Sequence, residues 1–205
     1  KISIITINYN NLLGLEKTMQ SVLEQTYSNI EYIIIDGGSN DSSAAYIEQQ
    51  SQKLSYWVSE PDTGIYNAMN KGIDKATGEY ILFLNSGDHL FNEKVLELNH
   101  SFLFQKDLIC FNLQMVRNGI SKIAKSPANL CFSDLYVTSL PHPATFIKRE
   151  LFNKVGLYDE DLKIVSDWKF FLLALFNFLA LSSNLLKDTK YCINLSKQLN
   201  CSVCC

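Results

Sequence analysis

The chain has 205 residues, 47% of them hydrophobic and 19% charged, which suits one ordinary globular domain and excludes a disordered polymer. Lys plus Arg total 18 against 21 for Asp plus Glu, giving a formal charge of -3, and no basic stripe runs along the chain, so a nucleic-acid partner is not expected.

The opening Ile2-Ser-Ile-Ile-Thr-Ile7 is short, β-branched and apolar on both faces, the pattern of a strand buried in a sheet covered by helices. Leu12, Leu15, Met19, Val22 and Leu23 then recur at helical spacing. A second buried strand, Tyr32 to Asp36, runs into a turn-rich segment, followed by a helix over Ala44 to Lys53. The order repeats: strand Tyr56 to Ser59, turn Asp62-Thr-Gly64, helix Ile65 to Ala76, strand Tyr80 to Leu84. Alternation of this kind predicts an open, mostly parallel α/β sheet flanked by helices, with ligands in the crevice beyond the carboxyl ends of the strands. Polar residues stand at those ends: Asn8 and Tyr9, Asp36, and Asn85-Ser-Gly-Asp88.

Past residue 90 the expected elements are a helix over Glu93 to Gln105, a strand over Leu108 to Val116, a short helix or turn over Ser133 to Ser139, and a stop at Pro141-His-Pro143. Ile164 to Leu181 is an apolar helix, expected in the core rather than on a membrane surface because its polar face is poor in Lys and Arg. Cys110 and Cys131 stand alone, while Cys192, Cys201, Cys204 and Cys205 crowd the end. That is no disulfide framework, and incidental thiols are expected there ahead of zinc. No signal peptide opens the chain, so the cytoplasm is the expected location, with peripheral contact at the inner face of the membrane as a secondary expectation. The absent initiator Met and the abrupt end suggest a piece of a longer protein. The expected organisation is a single domain, with residues 1–90 as a nucleotide-binding half, 91–185 as an acceptor-side half and 186–205 as a tail.

Asp88 is the sharpest chemical feature. Ser86 and Gly87 beside it leave room for a bulky phosphate, and a carboxylate there can hold a hard divalent cation against a diphosphate. Taken alone, the same tetrapeptide would equally make a turn with an Asp helix cap. Asp36 taken alone would cap a βα-loop, Tyr9 would be a half-buried aromatic, and Asp167 would be a carboxylate favoured by a helix N-terminus.

Read together, Ile5-Thr-Ile-Asn-Tyr-Asn10, Ile34-Ile-Asp-Gly-Gly-Ser-Asn-Asp41, Ser59-Glu-Pro-Asp-Thr-Gly-Ile-Tyr-Asn-Ala-Met-Asn-Lys-Gly72 and Gly78-Glu-Tyr-Ile-Leu-Phe-Leu-Asn-Ser-Gly-Asp88, with a second patch at Pro141 to Trp168, resemble the family 2 glycosyltransferases of the GT-A fold. The branch most similar is the bacterial one that builds surface polysaccharides. The resemblance implies transfer of a sugar, with inversion, from a nucleotide diphosphate donor of UDP type to a saccharide or lipid-linked acceptor, with Mn or Mg as cofactor. It implies that Asp36 reads the uracil, that Thr6, Asn8 and Tyr9 line the nucleoside pocket, and that Glu60, Asp62, the segment Tyr66 to Lys71, Ser86 and Gly87 shape the donor side, with Lys71 near phosphate. Asp88 and His142 become the metal or diphosphate ligands, although the usual acidic motif has more carboxylates than this chain keeps. Asp167 becomes the general base, with a pKa expected to be raised by Trp168 and Phe170. Two rivals are weighed: a nucleotidyltransferase, which lacks its Gly-rich basic loop at Asn8-Tyr-Asn-Asn11, and a non-catalytic nucleotide- or sugar-binding module.

Overall fold

The computed structural model describes residues 1–117, 119–126, 129–130, 135, 139–181, 193–194 and 202–204. In chain order the elements are β1 (Ile2–Asn8), α1 (Leu12–Leu23), β2 (Ile30–Asp36), α2 (Ser43–Gln49), β3 (Tyr56–Ser59), α3 (Ile65–Lys75), β4 (Tyr80–Phe83), β5 (His89–Leu90), α4 (Val95–Asn99), β6 (Leu108–Cys110), β7 (Asn112–Arg117), β8 (Ile120–Ala124), β9 (Asn129–Leu130), β10 (Thr145–Lys148), α5 (Glu150–Val155), α6 (Ser166–Leu181), β11 (Ile193–Asn194) and β12 (Ser202–Cys204).

The main sheet has six strands in the order β3-β2-β1-β4-β10-β6. Its first four strands are mutually parallel, and β10 runs antiparallel to both of its neighbours. Every residue of β1 is buried, as a strand covered on both faces requires. Side-chain alternation divides the core. Ile5 and Ile7 of β1 join Ile33, Met69, Phe83, Phe152 and Phe170 on the face covered by α3, α5 and α6. Ile2 and Ile4 join Leu15, Met19, Ile34 and Leu82 on the face covered by α1. Helix α3 rides so close to the sheet that a Cβ on Gly72 would lie 2.5 Å from Ile5 Cγ2. The parallel register aligns Asn8 with Asp36 and Asp36 with Ser59, so three polar strand ends lie side by side.

The opposite edge, at the amino ends of the parallel strands, is closed by Glu31. Its carboxylate accepts from Ser3 Oγ at 2.5 Å, from Thr77 N at 2.7 Å and Oγ1 at 2.6 Å, and pairs with Lys1 at 2.8 Å. Burial alone would raise the Glu31 pKa, but the bonds from Lys1, Ser3 and Thr77 outweigh it and hold it at about 2. Arg149, just after β10, donates to the Gly78 carbonyl at the same edge.

The later segments depart from expectation. The helix expected over Glu93 to Gln105 is α4 followed by a 3-10 stretch, His100–Gln105. The strand expected over Leu108 to Val116 is two strands parted at Phe111: β6 belongs to the main sheet and β7 to a second sheet of order β5-β12-β7-β8. The helix expected over Ala44 to Lys53 likewise divides into α2 and a 3-10 turn, Ser51–Lys53. Strand β10 and helix α5 were not anticipated. Helix α6 buries Phe170, Phe171, Ala174 and Leu175, which places it in the core. Among the described residues no helix is long and apolar enough to cross a membrane. Most of the expected Ser133–Ser139 turn, along with Cys131, Cys192, Cys201 and Cys205, lies outside the described residues.

Candidate active site

The loops that follow β1, β2, β3 and β4 border a cleft of about 700 Å³, within the range of pockets that seat nucleotide-sized ligands. One wall carries the Tyr9 ring, 66% exposed, and the half-buried Asp62. Both lie over Gly37, where a Cβ would come within 2.5 Å of Asp62 Oδ2 and 3.3 Å of Tyr9 Cδ2. The glycine therefore lets a planar ring and a carboxylate converge. Asp62 is itself set by the Gly64 N–H, which donates to Oδ1 at 2.9 Å. Ile65 and Ala68, in the first turns of α3, supply apolar surface opposite.

Asp36 takes a different place from the one expected. It is 0% exposed, and its carboxylate accepts four hydrogen bonds: from Asn8 Nδ2 at 2.7 Å, Ser39 N at 2.9 Å, Ser39 Oγ at 2.6 Å and Ser59 Oγ at 2.6 Å. Burial would raise its pKa, yet the bonds from Ser39, Ser59 and Asn8 prevail and hold it below the ordinary carboxylate value. Asp36 thus organises the loop beneath the cleft, and the carboxylate displayed in the cleft is Asp62. Thr6 also departs from expectation: it is fully buried on the α1 side of the sheet, with its hydroxyl 3.0 Å from Tyr32 OH. The strand's period of two carries Thr6 away from the face that Ile7 presents. Asn8 does line the cleft. Its Nδ2 is fixed by Asp36, which leaves Oδ1 buried with no hydrogen-bond partner among the described residues.

The loop after β4 is held by side chains that the sequence did not single out. Thr18, buried on α1, accepts from the Gly87 N–H at 2.9 Å and donates to the Asp88 carbonyl at 2.6 Å. Asn11 caps α1 by accepting from Gly14 N and donates to the Ser86 carbonyl at 2.9 Å. Gly87 has φ +112°, a conformation that glycine adopts without strain. Asn85 and Ser86 line the cleft, while Asp88, two residues further along the loop, is half-buried and does not line it. Lys71 is ion-paired with Glu60 at 2.7 Å and donates to the Pro61 carbonyl, so it braces the rim that carries Asp62.

From Asn85 a chain of contacts leads to Asp167. Asn85 Nδ2 lies 3.1 Å from His142 Nε2, and His142 Nδ1 lies 3.4 Å from Asp167 Oδ2. An amide N–H facing Nε2 leaves the ring proton on Nδ1, toward the carboxylate. Tyr66 OH donates to Asp167 Oδ1 at 2.9 Å. The expected rise in the Asp167 pKa is corrected here. Burial does push it up, but His142 and Tyr66 more than compensate and hold it below the ordinary range. Both ring nitrogens of His142 thus face partners, and a cation at the imidazole would have to displace the Asn85 amide.

Among the described residues no three His, Cys, Asp or Glu side chains gather into a metal cluster. Two oxygen donors stand in the β4 loop, the Asp88 carboxylate and the buried Asn85 Oδ1, the latter with no partner among the described residues. These are hard oxygen donors. They fit a Mg- or Mn-type ion that takes one carboxylate and completes its shell with phosphate and water.

A signal for Thr18 and Asn11 existed in sequence as a polar residue on the buried face of an amphipathic helix and an Asn before its first turn. Tyr66 and its reach to Asp167 carried no such local signal.

This arrangement, a nucleotide-sized cleft at the carboxyl ends of parallel strands with a carboxylate-bearing helix beside it, is that of the GT-A fold. S. aureus TarS 1–349 in complex with UDP has the same fold, with TM-score 0.74 at 20% identity, over 100% of this chain and 60% of that chain. The mannosyltransferase PcManGT from Pyrobaculum calidifontis, in complex with GDP-Man and Mn2+, aligns with TM-score 0.62 at 18% identity, over 82% of this chain and 50% of that one. The family model described as Glycosyl transferase family 2 matches residues 3–165, and the chain belongs to that family. An uncharacterized glycosyltransferase of Mycobacterium tuberculosis (strain ATCC 25618 / H37Rv) is 36% identical over 180 residues, 84% of this chain and 68% of that protein. The chain therefore spans about 60% of the TarS structure and about two thirds of the mycobacterial relative.

Proposed function

We propose that this chain transfers a sugar from a nucleoside diphosphate, of UDP type, onto an acceptor hydroxyl with inversion, the acceptor being a saccharide or lipid-linked saccharide of a bacterial surface polysaccharide. The observation that carries the reading is the unbroken line from the cleft to a carboxylate: Asn85 lines the cleft, touches His142, and His142 pairs with Asp167. A donor seated in the cleft would thus have its reacting carbon between the β4 loop and the start of α6.

In this reading Tyr9 and Asp62 form the base site, the ring packing on uracil and the carboxylate accepting its N–H. Asp88 would hold a divalent cation, which when bound neutralises charge on the diphosphate leaving group. Asp167, ionised because its neighbours favour the carboxylate, accepts the acceptor's hydroxyl proton as that oxygen attacks the anomeric carbon. One base opposite the leaving group implies a single displacement.

Calorimetry with UDP, with and without Mn, and transfer assays on Asp88→Ala and Asp167→Asn test the proposal. Metal-strengthened UDP binding and loss of turnover in both variants are expected; undiminished turnover in both rejects these roles. The single carboxylate of the β4 loop favours one alternative, a binding module without catalysis, which would bind UDP indifferently to Mn and transfer nothing.

A further inference from the structure

Helix α3 serves two masters. Its amino end borders the cleft through Gly64, Ile65 and Ala68. Between those last two residues, Tyr66 turns the other way and reaches Asp167, 101 residues further along the chain. The Tyr66 ring is buried and leans on Tyr158, with centroids 5.6 Å apart, and Tyr158 in turn packs on Phe152 and Phe170. Asn67, next in the chain, and Asn70, one turn on, donate to the two Glu160 oxygens at 2.9 and 2.8 Å, and Asn70 exchanges hydrogen bonds with both backbone groups of Tyr158. The segment leading to Asp167 is therefore clamped to the helix that walls the donor cleft.

We propose that Tyr66 is a positioning residue: its hydroxyl fixes the plane of the Asp167 carboxylate, so that the helix bordering the donor also aims the base. This rests on the reading of Asp167 as the base. A carboxylate on a two-bond side chain can rotate, and a rotated base loses alignment with the hydroxyl it must deprotonate. Tyr66 holds Oδ1 and His142 holds Oδ2, which leaves the remaining lone pairs for the acceptor. Burial and the Asp167 charge raise the Tyr66 pKa, so its hydroxyl remains a donor at neutral pH. A tyrosine that merely filled the core would need no hydroxyl at this spot, and phenylalanine would serve as well.

The test is a double-mutant cycle of Tyr66→Phe and Asp167→Asn, read by kcat and donor KM with UDP-glucose, UDP-galactose and UDP-N-acetylglucosamine in Mn. UDP affinity is measured by calorimetry, and the Asp167 titration midpoint by its carboxyl carbon-13 signal. Tyr66→Phe is expected to lower kcat roughly 10- to 100-fold. Donor KM and UDP affinity should stay within about twofold, the Asp167 midpoint should move upward, and no further loss should appear in the Asp167→Asn background. An unchanged kcat and midpoint in Tyr66→Phe, or losses that simply multiply in the double variant, would overturn the inference. Full turnover in Asp167→Asn alone would instead overturn the base assignment. If none of these donors is turned over, the carboxyl signal alone decides.

Discussion

The two sides of the site, donor and acceptor in the function proposed, are built by different means. On the donor side, each group sits within a few residues of a strand end, and the backbone itself sets the geometry: the Gly37 approach beneath Asp62 and Tyr9, the Gly87 turn, the four bonds that knit Asp36 into its loop. On the acceptor side, Asp167 is held by side chains from α3 and from the Pro141–Ala144 turn, both far off in sequence. The difference teaches that one half of a site can be an outcome of strand topology while the other depends on a few long-range contacts. The two should therefore fail separately.

The largest effect expected tests that separation directly. Asp167→Asn should reduce transfer by about 10²- to 10⁴-fold, the usual range for a general base, with UDP affinity unchanged by calorimetry. A matching loss of UDP affinity would show that the halves are not separable. Next comes acid stability, which belongs to neither side. Glu31 has a folded pKa of about 2 against 4.5 unperturbed, so its stabilisation is present above pH 4.5 and disappears as pH falls toward 2. With partial discounting for the exposed Lys1, it is worth on the order of 2 kcal/mol. Chemical denaturation at pH 7 and pH 3 should show this loss in the native chain and a smaller one in Glu31→Gln.

Thr18→Val removes the hydroxyl that holds both Gly87 and Asp88. It should cost about 1–3 kcal/mol in urea unfolding and weaken UDP binding in Mn. A stability loss with UDP binding intact would detach the β4 loop from the donor side. The smallest expected effect is local: Gly37→Ala pushes Asp62 aside and should weaken UDP binding about tenfold, roughly 1.4 kcal/mol, with little change in Tm.

The same contrast explains what the sequence could show. β1, β2, β3 and β4 and the helices between them were legible because continuous apolar runs and helical spacing are local signals, and the strand-end rule then gathered Asn8, Tyr9, Asn85 and Ser86 around one cleft. Thr6 was misplaced because the resemblance supplies a residue but not which face of the strand it takes. Asp36 was assigned to the ligand by the resemblance, although its own segment offered the loop-capping role that its bonds from Ser39 now show; only Ser59, 23 residues on, carried no local signal. The rise expected in the Asp167 pKa followed from apolar neighbours in sequence; its true neighbours, Tyr66 and His142, come from elsewhere. Beyond residue 90 the pattern weakens because Leu108–Cys110 and Asn112–Arg117 belong to different sheets, and a hydropathy run carries no mark of where a strand changes sheets.

The Glu31 cluster closes the edge of the sheet farthest from the cleft, joining the starts of β1, β2 and β4 through Ser3, Thr77 and Lys1. With one anchorage set so far from the cleft, the molecule resembles a hand gripped at the wrist. The fingers, meaning the segments around Tyr9, Asp62 and Asn85, could be exchanged for those of another transferase with the Glu31 grip intact, provided that the bonds from Thr18 and Asn11 to the β4 loop are kept, which makes this scaffold a recipient for loop grafting aimed at new sugar donors.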